Sequence, residues 1–153
     1  MTEPLVVRRE TQIAAPPATV FAFLTDPDKI MRWMGREVVS EPHPGGLYLL
    51  KGVGMERNRV ARGAFREVVP VHRLAYTFGW EESEAVPPGS GLIEIDLIDK
   101  DGGTLLRMTH SGLPDAQQCA EHDRGWKYHL DRLAMAAAGG DPDTIVMPAL
   151  SRA

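Results

Sequence analysis

The chain has 153 residues, of which 43% are hydrophobic and 25% charged, and its net charge is −4 at pH 7. This length fits one domain, and this composition is typical of a folded globular protein rather than a disordered one. The negative charge is the wrong sign for a protein whose main partner is nucleic acid. A single cysteine, Cys119, excludes an internal disulfide and a cysteine-based zinc cluster.

Membrane insertion and export are not expected. The longest largely apolar stretch, about 133–140, is much shorter than the roughly 18–20 residues that a membrane-spanning helix needs. The first ten residues lack the apolar core of a signal peptide. We therefore expect a cytoplasmic protein without a membrane span.

The N-terminal quarter predicts one strand and two short helices. Residues 5–14 alternate as a strand does, and residues 15–25 combine an early proline pair with apolar residues at helical spacing. Residues 26–34 begin with Asp-Pro, which is typical of an N-cap followed by proline at the first helical position. A second short helix is therefore expected to run through this segment.

Residues 35–111 predict about six consecutive strands. The large side chains of residues 74–80 share one parity, and the isoleucines of residues 93–97 alternate with acidic residues. Asp101-Gly102-Gly103 is a hairpin-turn sequence. Because no helix separates these strands, we expect an antiparallel meander.

The last element is predicted to be the longest helix. It is preceded by Asp115 and followed by Gly139-Gly140, and an apolar stripe recurs along it at intervals of three or four residues: Cys119, His122, Trp126, Leu130, Leu133 and Ala137. Glycine inside a helix costs about 1 kcal/mol relative to alanine, so another element is expected to approach closely at Gly125.

The order of these elements predicts an α+β domain. An antiparallel sheet must bury one face, and the final helix is the only long amphipathic stripe available to cover it. A strongly curved sheet wrapped around a helix leaves room for a cavity between the two. We expect this domain to span 1–140 and a tail to span 141–153, the tail being either disordered or docked through Ile145, Val146, Met147 and Leu150.

Two groups of motifs resemble a known family. Ile13-Ala-Ala-Pro-Pro-Ala-Thr-Val-Phe21 with Leu24-Thr-Asp-Pro27 resembles the START-like (SRPBCC, helix-grip) superfamily. His122-Asp-Arg-Gly-Trp126, followed by leucines at helical spacing, resembles its branch named after the activator of the heat-shock chaperone ATPase. The segments 63–68 and 104–113 fit the same pattern. The resemblance covers about residues 5–139 and implies a helix-grip fold with two short N-terminal helices.

The resemblance implies several functions. Relatives in the superfamily bind lipids, plant hormones or polyketides, and some catalyse cyclisation or dehydration in the cavity. Our leading hypothesis is binding of a small hydrophobic or aromatic ligand between the sheet and the last helix. The residues expected to line that cavity are Trp33, Met34, Tyr48, Phe65, Glu67, Tyr76, Phe78, Trp80, Met108, His110, His122 and Trp126.

Within that set, His110, His122 and Glu67 form the expected polar group. Glu67 shares the parity of Phe65, and His110 shares that of the apolar residues before it in its strand. Two simpler interpretations stay open: each aromatic residue is ordinary core, and His122 is a structural histidine with one internal partner.

Other functions are alternatives to ligand binding. One is a cyclase-like or dehydratase-like enzyme that uses these side chains as acid or base. Another is a co-chaperone or stress-response protein that contacts a chaperone, and a homodimer is also considered. No catalytic residue and no cofactor is assigned. A metal site is not expected, because the five histidines lack a metal-binding spacing. The segment 57–59 is interpreted as a solvated charged loop, and 52–54 as a turn.

Overall fold

A seven-stranded antiparallel sheet and one long helix make up most of the protein. The computed structural model describes residues 5–54 and 57–145. In chain order the elements are β1 (Val7–Ile13), α1 (Pro17–Thr25), α2 (Pro27–Ile30), β2 (Glu37–Ser40), β3 (Leu47–Val53), β4 (Arg59–Val69), β5 (Arg73–Phe78), β6 (Gly91–Lys100), β7 (Gly103–Ser111), α3 (Ala116–Ala137) and a 3-10 helix (Pro142–Thr144).

The sheet confirms the predicted antiparallel meander and the α+β helix-grip fold. Its strand order is β1-β7-β6-β5-β4-β3-β2, so the first strand closes the sheet beside the last one. Asp101 and Gly102 form the two-residue turn between β6 and β7, with φ angles of 53° and 78°. Positive φ at both turn residues matches the twist of a hairpin, which explains the Asp-Gly sequence.

Helix α3 begins and ends where the sequence indicates. The Asp115 side chain accepts a hydrogen bond of 2.8 Å from the backbone N–H of Gln118 and so caps the first turn. The predicted stripe faces the sheet, with Trp126, Leu130 and Leu133 buried. Arg9 of β1 also contacts the helix, through a two-pronged ion pair with Asp123 at 2.8 and 2.9 Å. No helix in the described ranges is long and apolar enough to cross a membrane.

The second short helix is shorter than predicted. The Asp26 side chain accepts a hydrogen bond from Asp28 N, as an N-cap should, but α2 ends at Ile30. Trp33 and Met34 lie in the turn that follows. The Trp33 indole donates a buried hydrogen bond of 2.8 Å to the Phe23 carbonyl, which ties this turn to α1.

The expected inward orientation of Glu67 is wrong. A β-bulge lies between Phe65, which pairs with Tyr76, and Glu67, which pairs with Ala75. The extra residue reverses the alternation of β4 at this point, since a shift of one residue moves a side chain to the other face. The Glu67 carboxylate therefore lies in solvent, 48% exposed, and pairs with Arg73 at 2.8 Å.

The expected tail is described only as far as Ile145. Its first residues pack against α3, because Arg132 donates hydrogen bonds to the Pro142 carbonyl at 3.0 Å and to Asp143 at 3.1 Å. The other residues proposed to dock the tail, Val146, Met147 and Leu150, lie outside the described residues. The domain boundary at 140 stays a prediction.

Candidate functional site

A cavity of about 340 Å³ lies between α3 and the ends of three strands. Its aromatic walls come from Phe78 and Trp80 on the sheet side and from Trp126 on the helix. The turn after α2 contributes one further apolar side chain and the end of β3 another. The complete lining is Met34, Val53, Gly54, Asn58, Arg59, Phe78, Trp80, Glu121, His122, Arg124, Gly125, Trp126 and His129.

Gly125 forms part of the cavity wall. The prediction that another element approaches the helix closely at this glycine is wrong. A Cβ atom built on Gly125 would have no neighbour within 4 Å. The glycine therefore makes no room for a packed element; it leaves the cavity open beside Trp126. Since glycine weakens a helix by about 1 kcal/mol relative to alanine, α3 is less stable here than it would be with alanine at this position.

His122 lies at the cavity wall with both ring nitrogens engaged. Its Nε2 accepts a hydrogen bond of 2.9 Å from the Trp80 indole, and its Nδ1 lies 2.8 Å from the Gln118 carbonyl. These partners assign the proton to Nδ1. Burial lowers the pKa of His122, an effect that the Gln118 carbonyl opposes. His122 therefore has the internal partners of a structural histidine, and it positions Trp80.

His110 lies behind the cavity wall, in β7. It is fully buried, and its Nδ1 accepts a hydrogen bond of 3.0 Å from the Trp126 indole. Its ring stands perpendicular to that of His122, with the ring centres 5.2 Å apart. Burial, together with His122, lowers the pKa of His110 to about 3. The two predicted histidines thus come together as neutral rings that hold the two cavity tryptophans.

His129 is a functional candidate that the sequence interpretation missed. It lies on α3 one turn beyond Trp126, lines the cavity and is only 8% exposed. Neither of its ring nitrogens has a hydrogen-bond partner among the described residues. Burial, with smaller contributions from Arg132 and Arg57, lowers the pKa of His129 to about 4, and interaction of the ring with the Trp33 carbonyl opposes the shift. Its spacing of three residues from Trp126 was the signal that could have identified it.

The segment 57–59, interpreted from sequence as a solvated loop, places Arg59 at the cavity. The Arg59 guanidinium lies 4.0 Å from the centre of the Trp80 ring, a cation–π contact. Burial lowers the pKa of Arg59, and the nearby Glu121 carboxylate opposes the shift. Three charged side chains that line the cavity are exposed and therefore mark its mouth: Arg59, Glu121 and Arg124. No local pattern indicates this, because the stack depends on the pairing of Ala61 with Trp80.

The predicted cavity residues separate into three groups. Five of them line the cavity: Met34, Phe78, Trp80, His122 and Trp126. Six are buried core residues outside its lining: Trp33, Tyr48, Phe65, Tyr76, Met108 and His110. Tyr48 and Tyr76, for example, stack on each other with ring centres 4.1 Å apart. Glu67 faces solvent, and no group of three potential metal ligands occurs in the described part of the chain.

Comparison with known proteins assigns the chain to a family. Residues 14–138 match the family model described as Activator of Hsp90 ATPase homolog 1-like protein. An AHSA1-like protein from Rhizobium etli, solved by NMR, is 65% identical over 93% of this chain and 87% of that one, with a TM-score of 0.73. No curated protein matches the chain.

Two more distant structures show the same fold. CalU16 from Micromonospora echinospora is 27% identical over 92% of this chain and 86% of that one, with a TM-score of 0.71. The Aha1 dimer from Colwellia psychrerythraea is 17% identical over 88% of this chain and 97% of that one, with a TM-score of 0.76. The family model covers the whole length from the end of β1 to the end of α3. The chain therefore belongs to the family of Activator of Hsp90 ATPase homolog 1-like proteins.

Proposed function

We propose that the protein binds a small apolar or aromatic molecule in the cavity between α3 and the sheet. The observation that carries the proposal is the combination of aromatic walls with the open space at Gly125. A helix that only needed to cover the sheet would gain stability from alanine at this position. Keeping glycine there preserves cavity volume.

The size and lining of the cavity limit the ligand class. Small-molecule sites are commonly about 300–1,000 Å³, mostly apolar, with a few polar groups, and this cavity of about 340 Å³ lies near the lower limit. Trp80 is held by His122 and Trp126 by His110, so both indole rings are oriented before any ligand arrives. A site of this kind suits one small ring system better than a long acyl chain.

Filling the cavity from the helix tests the proposal. Gly125→Leu adds an isobutyl group inside the cavity, whereas Ala120→Leu adds apolar carbons to the exposed face of the same helix. We would screen the wild-type protein by thermal shift against two-ring aromatic compounds and measure the affinity of each hit by calorimetry. We expect Gly125→Leu to abolish binding and Ala120→Leu to retain the wild-type affinity.

Two results would contradict ligand binding in this cavity. One is that no two-ring compound binds the wild-type protein; the other is that Gly125→Leu binds the hits with unchanged affinity. The second result would place the ligand elsewhere on the molecule. Circular dichroism of both leucine variants shows whether the helix has formed, so that lost binding is not mistaken for lost folding.

The acid–base alternative has less support from the geometry. Glu67 lies in solvent, and both ring nitrogens of His122 already have partners within the protein. His110 is fully buried and does not line the cavity. Of the polar group expected from the sequence, no member therefore offers a free acid or base to a bound molecule.

Contact with a chaperone is the second candidate, and family membership favours it. A co-chaperone would act in the cytoplasm by contact with the chaperone ATPase. Adding the purified protein to purified Hsp90 and measuring ATP hydrolysis tests this directly. An increase that persists in Gly125→Leu would separate chaperone contact from ligand binding.

A further inference from the structure

We propose that His129 selects the ligand, which is a hydroxylated aromatic molecule whose hydroxyl group hydrogen-bonds the buried His129 imidazole in the cavity wall. The inference rests on the proposed function, because it names the class of molecule that the same cavity takes. It assigns the polar contact of the ligand to one buried side chain of the cavity wall.

The observation behind the proposal is that His129 is buried without partners. His129 is 8% exposed and lines the cavity, and neither of its ring nitrogens makes a well-aligned hydrogen bond within the described residues. The Trp33 carbonyl lies near enough to affect its pKa but already accepts a hydrogen bond from Arg132. Buried polar groups in folded proteins are almost always hydrogen-bonded, and leaving one unpaired is unfavourable for folding. A leucine would pack at this position without that penalty. Such a side chain is best explained by a partner that arrives with the ligand.

The protonation state of His129 defines the partner. Burial holds the pKa of His129 near 4, so the ring is neutral at pH 7, with one donor nitrogen and one acceptor nitrogen. A hydroxyl group both donates and accepts, so it can bond either nitrogen. An ammonium group is disfavoured, because Arg132 and Arg57 already create a positive potential at this ring.

The surroundings of His129 point in the same direction. A smaller cleft of about 40 Å³ lies beside it and contains three arginines: Arg36, Arg57 and Arg132. Arg132 is committed to the protein, since it donates hydrogen bonds to the carbonyls of Trp33 and Pro142. Arg132 and Arg57 share the Asp143 carboxylate, at 3.1 and 3.7 Å, which leaves a net positive charge. That charge attracts the negative end of a dipole, such as a phenolic oxygen.

The spacing of the two histidines that line the cavity fits one ring system with a hydroxyl group at one end. His122 and His129 are seven residues apart on α3, which corresponds to about 10 Å along a helix axis. Gly125 and Trp126 lie between them, so the ring of the ligand has space over the glycine. Arg59 and Arg124 are exposed and stand at the mouth, whereas His129 is buried.

Two compounds of matched shape test this inference. 2-Naphthol and 2-methylnaphthalene differ by a hydroxyl in place of a methyl group. We would measure the dissociation constants of both by fluorescence titration with wild-type protein, His129→Leu and His129→Gln. A new hydrogen bond to a buried, otherwise unpaired group should favour 2-naphthol by about tenfold in the wild-type protein. We expect His129→Leu to remove that preference without weakening 2-methylnaphthalene, and His129→Gln to restore part of it.

Two further measurements separate a ligand contact from a structural role. The ligand-free His129→Leu variant should melt at the wild-type temperature or above it, because it loses no hydrogen bond. In the wild-type protein, the imidazole ¹⁵N shifts of His129 should move with 2-naphthol and stay unchanged with 2-methylnaphthalene.

The failures of the two proposals are distinguishable. If both compounds bind equally, or if His129→Leu keeps the preference, the role of His129 is wrong while ligand binding stands. If His129→Leu fails to fold or melts markedly lower, His129 is structural and the inference is overturned. If neither compound binds the wild-type protein, the inference fails together with this cavity's proposed use for two-ring aromatic molecules.

Discussion

Replacing Gly125 by alanine should stabilise the protein and reduce the room for a ligand. The built Cβ has no neighbour within 4 Å, so the methyl group causes no clash and gains little packing. The full difference in helix propensity should appear, about 1 kcal/mol in favour of alanine. For a chain of this size, that corresponds to a rise in melting temperature of roughly 2–4 °C.

The matched control removes a methyl group from the exposed face of the same helix. Ala120 lies in α3 and is exposed, so Ala120→Gly should lower the free energy of unfolding by about 1 kcal/mol. The double variant Ala120→Gly/Gly125→Ala should then have nearly wild-type stability. Urea unfolding followed by circular dichroism measures the free energies, and calorimetry with 2-naphthol measures the affinity.

A loss of stability in Gly125→Ala would refute this reasoning. It would mean that an atom does occupy the space beside Gly125, and the interpretation of the glycine as cavity wall would be wrong. A gain in stability together with an unchanged affinity for 2-naphthol would refute only the functional part. The methyl group would then lie where no ligand goes.

Two further predictions concern ionised groups. Burial lowers the pKa values of His110 and His129 to about 3 and about 4, below the 6.5 of an unfolded chain. The unfolded chain therefore binds more protons than the folded one between pH 7 and pH 5. The free energy of unfolding should fall over this range, by roughly 2 kcal/mol per pH unit at the steepest point. Urea unfolding across this range measures the dependence of stability on pH. In His129→Leu the slope should be smaller by the contribution of about one proton. A stability that does not change with pH would contradict the prediction. Arg73→Met should cost roughly 1 kcal/mol at low salt and less in 1 M NaCl, because it breaks partly exposed ion pairs with Glu67, Glu94 and Asp96. A loss in thermal unfolding experiments that does not depend on salt would show that packing, rather than charge, is responsible.

Local patterns were sufficient to predict the elements and their order. The alternation in β6, the Asp-Gly turn after it and the stripe along α3 each depend on neighbours within a few positions of the chain, and the structure confirms all three. The family resemblance then arranged these elements into a helix-grip fold. Both inferences hold because periodicity and capping are properties of short segments.

The errors occurred where a residue's environment depends on distant segments. The bulge at Phe65/Glu67 arises from pairing between β4 and β5, so parity within β4 alone could not reveal that Glu67 faces solvent. The stack of Arg59 on Trp80 likewise requires that the chain between them fold back. In each case the deciding contact joins segments that are distant in the chain, and no local pattern specifies how they pair.

The sequence by itself determined the type of fold, the ends of the long helix and the apolar face that it presents. Only the tertiary structure decided which apolar residues fill the core and which surround a cavity. Leucine and tryptophan at helical spacing look the same in either place, since the hydrophobic effect drives both out of water without direction. A cavity is space that the packed side chains leave, so Gly125 and the unpaired His129 acquire meaning only once their neighbours are known.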